Sequence, residues 1–146
     1  MFRILIGAKD LAVAQRFYEK LLGVTGRVVG GGRVYFDCGS VILGVLDFSS
    51  RDGQDWSGPT ESIYFATADL NGVHARARAL NCLAEGLLHE DPSSPLGEVV
   101  VRPWGERSFY AVDPSDNSLC FVDESTLFTG TPEQVAALRR GSPSSS

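Results

Sequence analysis

The feature that most constrains the fold is an internal repeat with a period of 59 residues. Displaced by that number, the segment from Ile4 to Leu11 aligns with the segment from Ile63 to Leu70. An isoleucine, an aspartate and a leucine then recur in register. We therefore expect two copies of one small motif that share a single core.

An aspartate separates a strand-like part of each copy from a helix-like part. Asp10 precedes apolar residues at three- and four-residue steps as far as Gly23, and Asp69 precedes a similar pattern as far as Asn81. A carboxylate in this position accepts hydrogen bonds from the free amides of the first helical turn. Each copy is therefore predicted to be a strand followed by an amphipathic helix of about three turns.

After each helix the sequence consists of short β-prone segments separated by turn residues. The predicted strands are 27–29, 33–38 and 41–48 in the first copy, and 98–102, 108–112 and 118–122 in the second. Gly30 to Gly32 is interpreted as a hairpin connection, 113–117 as a turn, and 86–97 as an elongated surface loop.

The predicted fold class is α+β, with two tandem βαβββ modules. Residues 1–48 form the first module, 49–60 a linker, 61–124 the second module, and 125–146 a C-terminal tail. In that tail, Thr131 and Pro132 are typical of the start of a short helix, which is expected to end near Arg140.

The composition excludes several classes of protein. A formal net charge of -5, with dispersed Lys and Arg, predicts no nucleic-acid partner. No apolar run reaches the ~18 residues of a membrane span, and the first residues lack a secretory pattern, so we expect no membrane contact and a soluble, cytoplasmic protein. The three cysteines, Cys38, Cys82 and Cys120, have no metal-type spacing and are expected to be free thiols.

Tandem βαβββ modules with Asp-Pro-Ser-Asp-Asn at 113–117 before the last strand resemble the vicinal oxygen chelate superfamily over residues 2–124. This is the glyoxalase, bleomycin-resistance and dioxygenase group. The stretch Arg-Pro-Trp-Gly-Glu-Arg-Ser-Phe-Tyr at 102–110 is similar to its bleomycin-resistance-type members. The stretch Phe-Tyr-Glu-Lys-Leu-Leu-Gly at 17–23 is similar to the end of the first helix in many members. The resemblance implies that the sheets curl around a shared cavity.

The same resemblance implies metal ligands on the first and last strands of each module. The corresponding positions are Arg3, Gly44, Ser62 and Cys120, and none is His, Glu or Asp. A catalytic metal needs about three nitrogen or oxygen ligands that converge on one ion. We therefore expect no metal and no cofactor, and the sequence disfavours glyoxalase, extradiol dioxygenase and metal-dependent fosfomycin-inactivating chemistry.

The strand period of two predicts which side chains face the cavity. Ser62, Tyr64, Cys120 and Val122 are expected to point inward, because their neighbours are apolar residues suited to lie under the helices. By the family pattern, further residues are expected to line the cavity. The predicted ligand-binding set is Arg3, Leu5, Leu46, Ser62, Tyr64, Trp104, Ser108, Tyr110 and Cys120. This mixture suits a small amphipathic organic molecule.

Each candidate also has a purely structural interpretation. Arg3 could bind an anion in the place of the metal, or be a strand-end arginine that reaches water. Tyr110 could donate a proton or only pack, and Cys120 could be a nucleophile or a buried thiol. Trp104 and Trp56 could stack on a planar ligand, or lie at a core edge or a dimer contact.

The leading functional hypothesis is a metal-independent protein that binds a small amphipathic or aromatic molecule. One alternative is a metal-free isomerase or lyase that uses Arg3 for charge stabilisation and Tyr110 for proton transfer. Another is a non-catalytic paralogue that only contacts other proteins. The family resemblance implies a homodimer, because paired modules in this superfamily often assemble as two-fold dimers.

Overall fold

The structure is a computed structural model that describes residues 1–49 and 61–140. The first module contains β1 (Arg3–Ala8), α1 (Leu11–Leu22), β2 (Arg27–Gly30), β3 (Arg33–Cys38) and β4 (Val41–Asp47). The second contains β5 (Ile63–Thr67), α2 (Leu70–Ala79), β6 (Val100–Val101), β7 (Arg107–Val112) and β8 (Ser118–Asp123). A short 3-10 turn (Glu124–Thr126) and helix α3 (Pro132–Arg140) follow. The predicted α+β class with two βαβββ modules is confirmed.

Each module forms a four-stranded mixed sheet with the same strand order. The order is β1-β4-β3-β2 in the first sheet and β5-β8-β7-β6 in the second. The pairs β1–β4 and β5–β8 are parallel, and the other pairs are antiparallel. The rows that cross the two sheets at equivalent positions are Leu5–Gly44–Tyr35 and Tyr64–Cys120–Tyr110. The register therefore makes Gly44 and Cys120 equivalent, as the sequence predicted.

The predicted helix caps are present. Asp10 Oδ1 accepts a hydrogen bond from Val13 N at 3.1 Å, and Asp69 Oδ1 accepts one from Gly72 N at 3.1 Å. Helix α1 ends at Gly23, whose φ of 70° is a left-handed conformation that favours glycine. The predicted helix of the tail begins with Gln134 N donating to Thr131 Oγ1.

The helix-facing sides of both sheets pack into one hydrophobic core, as the repeat predicted. Helices α1 and α2 contact each other within it. Its largest fully buried apolar members are Tyr18, Leu21, Val34, Phe36, Val45, Phe109, Leu119 and Phe121. None of the helices in the described part of the chain has the length and apolar character needed to cross a bilayer.

Two predicted features of the second module differ in the structure. The strand predicted for 98–102 is only Val100–Val101, because a turn follows in which Gly105 N donates to Arg102 O at 2.9 Å. The segment 86–97 is not merely a surface loop, since Leu88 and Ser94 are buried. Leu88 packs against apolar side chains of the second sheet, and the area that it removes from water favours this closed position.

The predicted linker lies almost entirely outside the described residues, as does the end of the tail beyond residue 140. The module boundaries at 48, 60 and 124 therefore stay predictions.

Candidate functional site

The face of the first sheet that lies opposite the helices is open. Leu5 is 46% exposed, and the Arg3 guanidinium lies 5.0 Å from the ring centroid of Phe2 and 5.5 Å from that of Tyr35. At Gly44, a Cβ atom would overlap Leu5 Cδ2 and lie 3.1 Å from Tyr35 Cε1. Glycine at position 44 therefore makes room for the side chains of Leu5 and Tyr35. They fill the space into which a metal-coordinating side chain at position 44 would project.

The corresponding face of the second sheet is covered. Tyr110, Cys120 and Val122 form a small apolar cluster with Leu88 from the long loop, and each of them is at most 8% exposed. Ser108, beside them, is 1% exposed. These side chains form a packed floor under the loop.

Arg102 attaches the long loop to this floor, and the sequence interpretation did not single it out. The side chain is 2% exposed, and its guanidinium lies 5.1 Å from the ring centroid of Tyr110. Its five N–H groups donate to six acceptors, because three of the acceptors share the two hydrogens of Nη2. Their acceptors are the Oγ atoms of Ser94 (2.7 Å) and Ser108 (3.0 Å) and the carbonyl oxygens of Pro95 (2.9 Å), Leu96 (3.1 Å), Glu98 (3.2 Å) and Ser108 (3.1 Å).

Arg102 has no ion-pair partner among residues 1–49 and 61–140. Burial lowers the pKa of its guanidinium below its ordinary value. Carbonyl and hydroxyl dipoles therefore compensate the charge, a role that guanidinium geometry suits because its five N–H donors have fixed directions. The only indication of this role in the sequence was the presence of a cationic residue shortly before Trp104.

The polar groups in the floor are protonated at neutral pH. Burial raises the pKa of the Tyr110 hydroxyl well above its ordinary value, and interactions with Cys120 and Tyr64 add to the rise. Burial also raises the pKa of the Cys120 thiol to about 11, although hydrogen bonds with Ser108 and Tyr110 partly oppose it. A protonated thiol is a poor nucleophile, so these surroundings favour the structural interpretation of Cys120.

We predict that the Cys120 thiol makes the fold sensitive to alkaline pH. The unfolded thiol loses its proton near pH 9 and the folded thiol near pH 11, so the folded state binds more protons between these values. The stabilisation is complete below pH 9, and about 2 kcal/mol is lost as the pH rises to 11. Cys120→Ala should reduce the loss, measured by urea unfolding at pH 8 and pH 10.5. An identical loss in Cys120→Ala and in the wild type would contradict this assignment.

The accessible cavity of this module lies beside the floor, under the C-terminal segment. Its volume is about 570 Å³. Trp104 Nε1 donates to Glu106 Oε1 at 2.7 Å, and Phe128 N donates to Glu106 Oε2 at 2.8 Å. The buried Glu106 carboxylate thus connects the wall that contains Trp104 to the wall formed by the C-terminal segment. The lining residues are Tyr64, Phe65, Ala66, Trp104, Glu106, Val122, Leu127, Phe128 and Thr129.

The structure distributes the predicted ligand-binding residues over four places. Tyr64 and Trp104 line the cavity under the C-terminal segment. Ser108, Tyr110 and Cys120 lie in the floor. The remaining four lie elsewhere, with Arg3, Leu5 and Leu46 on the first sheet and Ser62 in a hydroxyl pair with Ser118, whose Oγ atoms are 2.6 Å apart.

Among the described residues, no contact joins Arg3 to Tyr110 within one chain. Ligand contact by each member of the predicted set stays a prediction. Trp56 lies outside the described residues. Glu106 and Phe128 line the cavity but were not among the candidates. Phe128 was missed because the sequence presented the C-terminal segment as an appendage.

The four positions at which the resemblance implies a metal do not fit one. Arg3 is a cation, and Gly44 offers no side chain. Ser62 alone is a weak ligand, and Cys120 is a buried thiol with a raised pKa. In the described segments, no three His, Cys, Asp or Glu side chains lie close enough to share an ion. No chemical step is therefore assigned to a metal.

No protein-family model matches the sequence, and no curated protein matches it. Solved structures do match. The oxidase ChaP-H2 is 22% identical with a TM-score of 0.65, over 84% of this chain and 91% of that chain. A bleomycin resistance determinant encoded on the transposon Tn5 is 16% identical with a TM-score of 0.63, over 84% and 96%. Lactoylglutathione lyase from Agrobacterium tumefaciens is 22% identical with a TM-score of 0.56, over 84% and 92%. The chain therefore has the vicinal oxygen chelate fold of the glyoxalase and bleomycin-resistance proteins.

Proposed function

We propose that this chain binds a small, flat, largely apolar molecule, without a bound metal, in the cavity between its second sheet and its C-terminal segment. The observation that carries the proposal is this cavity of about 570 Å³, because its volume lies within the range of small-molecule sites. Aromatic side chains from three parts of the chain line it, namely Tyr64, Trp104 and Phe128. Such rings provide a large contact area for a planar ligand.

The charge of the cavity favours a ligand with no anionic group on the side of Glu106. That carboxylate is 8% exposed, and both of its oxygens already accept hydrogen bonds. An anion beside it would meet a like charge, and the described lining offers no cation. Arg3, for which the sequence left open either anion binding or a strand-end position that reaches water, lies on the first sheet. The alternative of an isomerase or lyase that combines Arg3 with Tyr110 therefore gains no support within a single chain.

Ligand binding should be visible in the fluorescence of Trp104. In a Trp56→Phe background, two-ring aromatic compounds such as 2-naphthol should change Trp104 emission, because the indole lies in the cavity wall. Phe128→Ala should weaken binding about tenfold by removing apolar contact area. Phe2→Ala is the matched control, since Phe2 is an exposed phenylalanine beside the first sheet and does not line this cavity. Equal affinities in the Phe128 variant and the parent protein would remove the C-terminal segment from the site.

We also propose that the protein is a homodimer, as expected from the sequence. Apolar side chains are exposed along β1, an edge strand of the first sheet, and at the residue before it, with Leu5 at 46% and Phe2 at 64%. Exposed apolar surface of this kind is typical of an interface. Light scattering should give twice the chain mass of 15.7 kDa, and Leu5→Glu should give the mass of one chain. A wild-type protein of 15.7 kDa in solution would overturn the dimer. A cytoplasmic location likewise remains our proposal.

A further inference from the structure

The two junctions between the modules are equivalent in the repeat but differ in how they are filled. At one junction, the turn between β7 and β8 packs against α1 and β1. Tyr18 Oη donates to Asp113 Oδ2 at 2.5 Å, and Asn117 Nδ2 donates to Gly7 O at 3.0 Å. Phe17 packs edge-to-face on Tyr18, with ring centroids 5.0 Å apart. Two aromatic rings and a hydrogen-bonded turn therefore fill this junction.

At the other junction, the turn between β3 and β4 faces α2 and β5, and the residues are smaller. The 59-residue period places Arg76 at the equivalent of Phe17, and Ala77 at the equivalent of Tyr18. The strand register places Cys38 at the equivalent of Asp113. Two rings and a carboxylate are thus replaced by an exposed arginine, a methyl group and a thiol. The result is a cavity of about 500 Å³.

The walls of this junction cavity are mainly apolar. They include Leu22, Val24, Ile42, Ile63 and Phe65, all of which are partly exposed. The cavity lies on the helix side of the sheets, whereas the cavity of the proposed function lies on the opposite side of the second sheet, although Tyr64 to Ala66 border both. A space of this size and lining is suitable for a small organic ligand.

The charges at the rim favour an anionic ligand. Arg76 lines the cavity, and its Nε donates to Leu21 O at 3.1 Å, which fixes the guanidinium at the end of α1. Its two terminal nitrogens have no hydrogen-bond partner in the described segments. Asp37 also lines the rim but is ion-paired with Arg27. The cation that remains uncompensated is therefore Arg76.

We propose that the junction cavity is a second ligand site, for a monocarboxylate with an aryl or branched alkyl body. The apolar part lies between the β3–β4 turn and β5, and the carboxylate accepts hydrogen bonds from the terminal nitrogens of Arg76. Because a charge-assisted hydrogen bond discriminates between a carboxylate and its amide, the amide binds about tenfold more weakly.

Cys38 provides a direct reporter of occupancy. Its thiol lines the cavity and is partly exposed, whereas Cys82 and Cys120 are buried at 7% and 1% exposure. The experiment measures alkylation of Cys38 by iodoacetamide, using mass spectrometry, in the presence of 4-phenylbutanoate or 4-phenylbutanamide. We expect the carboxylate to protect Cys38 at about tenfold lower concentration than the amide. Arg76→Gln should abolish that difference, and Arg78→Gln, on the same exposed helix end but outside the cavity, should preserve it.

Three outcomes would overturn the proposal. One is the absence of protection by either compound up to roughly 10 mM, where a site with a Kd of about 1 mM is filled. Another is an unchanged preference for the carboxylate in Arg76→Gln. The third is loss of protection in Phe128→Ala, because the compound would then act through the cavity under the C-terminal segment. Intact protection of Cys38 in Phe128→Ala supports a separate site, whether or not the cavity under the C-terminal segment binds a ligand.

Discussion

Replacing Arg102 with leucine should cost about 3 to 5 kcal/mol of unfolding free energy. The substitution removes all six hydrogen-bond contacts of this side chain and leaves buried oxygen atoms of Ser94 and Ser108 without their guanidinium donor. A buried acceptor without a donor has lost its hydrogen bonds to water and has no protein hydrogen bond to replace them, which costs free energy. Because whole domains are stable by only about 5 to 15 kcal/mol, this is a large effect. Urea unfolding followed by tryptophan emission measures it.

Two further variants separate charge from geometry at this position. Arg102→Lys retains the positive charge but offers three donors on a single nitrogen, so it should retain less than half of the stabilisation. Arg78→Leu, on the exposed end of α2, should change the unfolding free energy by less than about 0.5 kcal/mol.

Hydrogen exchange gives an independent measurement of the same loop. Leu88 N donates to Ser94 O at 2.8 Å, and Ser94 Oγ is an Arg102 acceptor. Exchange at the Leu88 amide should therefore accelerate in Arg102→Leu, since opening of the loop becomes easier. Unchanged stability and unchanged exchange would show that Arg102 does not attach the loop to the sheet.

Replacing Asp113 with alanine should cost about 3 to 4 kcal/mol. Asp113 is 4% exposed, and its two oxygens accept hydrogen bonds from Tyr18 Oη, the backbone amides of Ser115 and Asn117, and Asn117 Nδ2. These bonds shape the β7–β8 turn and connect it to α1 of the other module. Loss of the carboxylate leaves several buried donors unpaired, and urea unfolding at pH 7 reports the change.

A double-mutant cycle with Tyr18→Phe isolates the contact between the modules. Tyr18→Phe alone should cost about 1 to 2 kcal/mol, and the two substitutions together should cost less than their sum by at least about 1 kcal/mol. Asp116→Asn is the control in the same turn, because Asp116 is exposed and its φ of 66° is one that asparagine tolerates. Fully additive losses would mean that the Tyr18 hydroxyl and Asp113 do not stabilise one another.

Much of the candidate site could not be predicted because it depends on loops. The strand period predicted which side chains of β8 lie opposite the helices, and Cys120 and Val122 do lie there. It could not show that Leu88 covers them, because a loop rich in proline, serine and glycine carries no periodic pattern from which its packing can be derived. The sequence could not show that Phe128 lines the cavity, for the same reason. Its position depends on the long-range hydrogen bond from its amide to Glu106.

The sequence by itself determined the repeated architecture, namely the caps at Asp10 and Asp69, the end of α1 at Gly23, and the order of strands and helix along the chain in two βαβββ modules. These features arise from local chemistry, that is, from periodicity, capping and turn residues, which neighbouring positions specify. Only the tertiary structure decided where the cavities lie. A cavity is the volume left between elements distant in sequence, so its existence depends on side-chain sizes that meet across the fold. The pair Tyr18 and Asp113 closes one junction, and Ala77 and Cys38 leave its equivalent open.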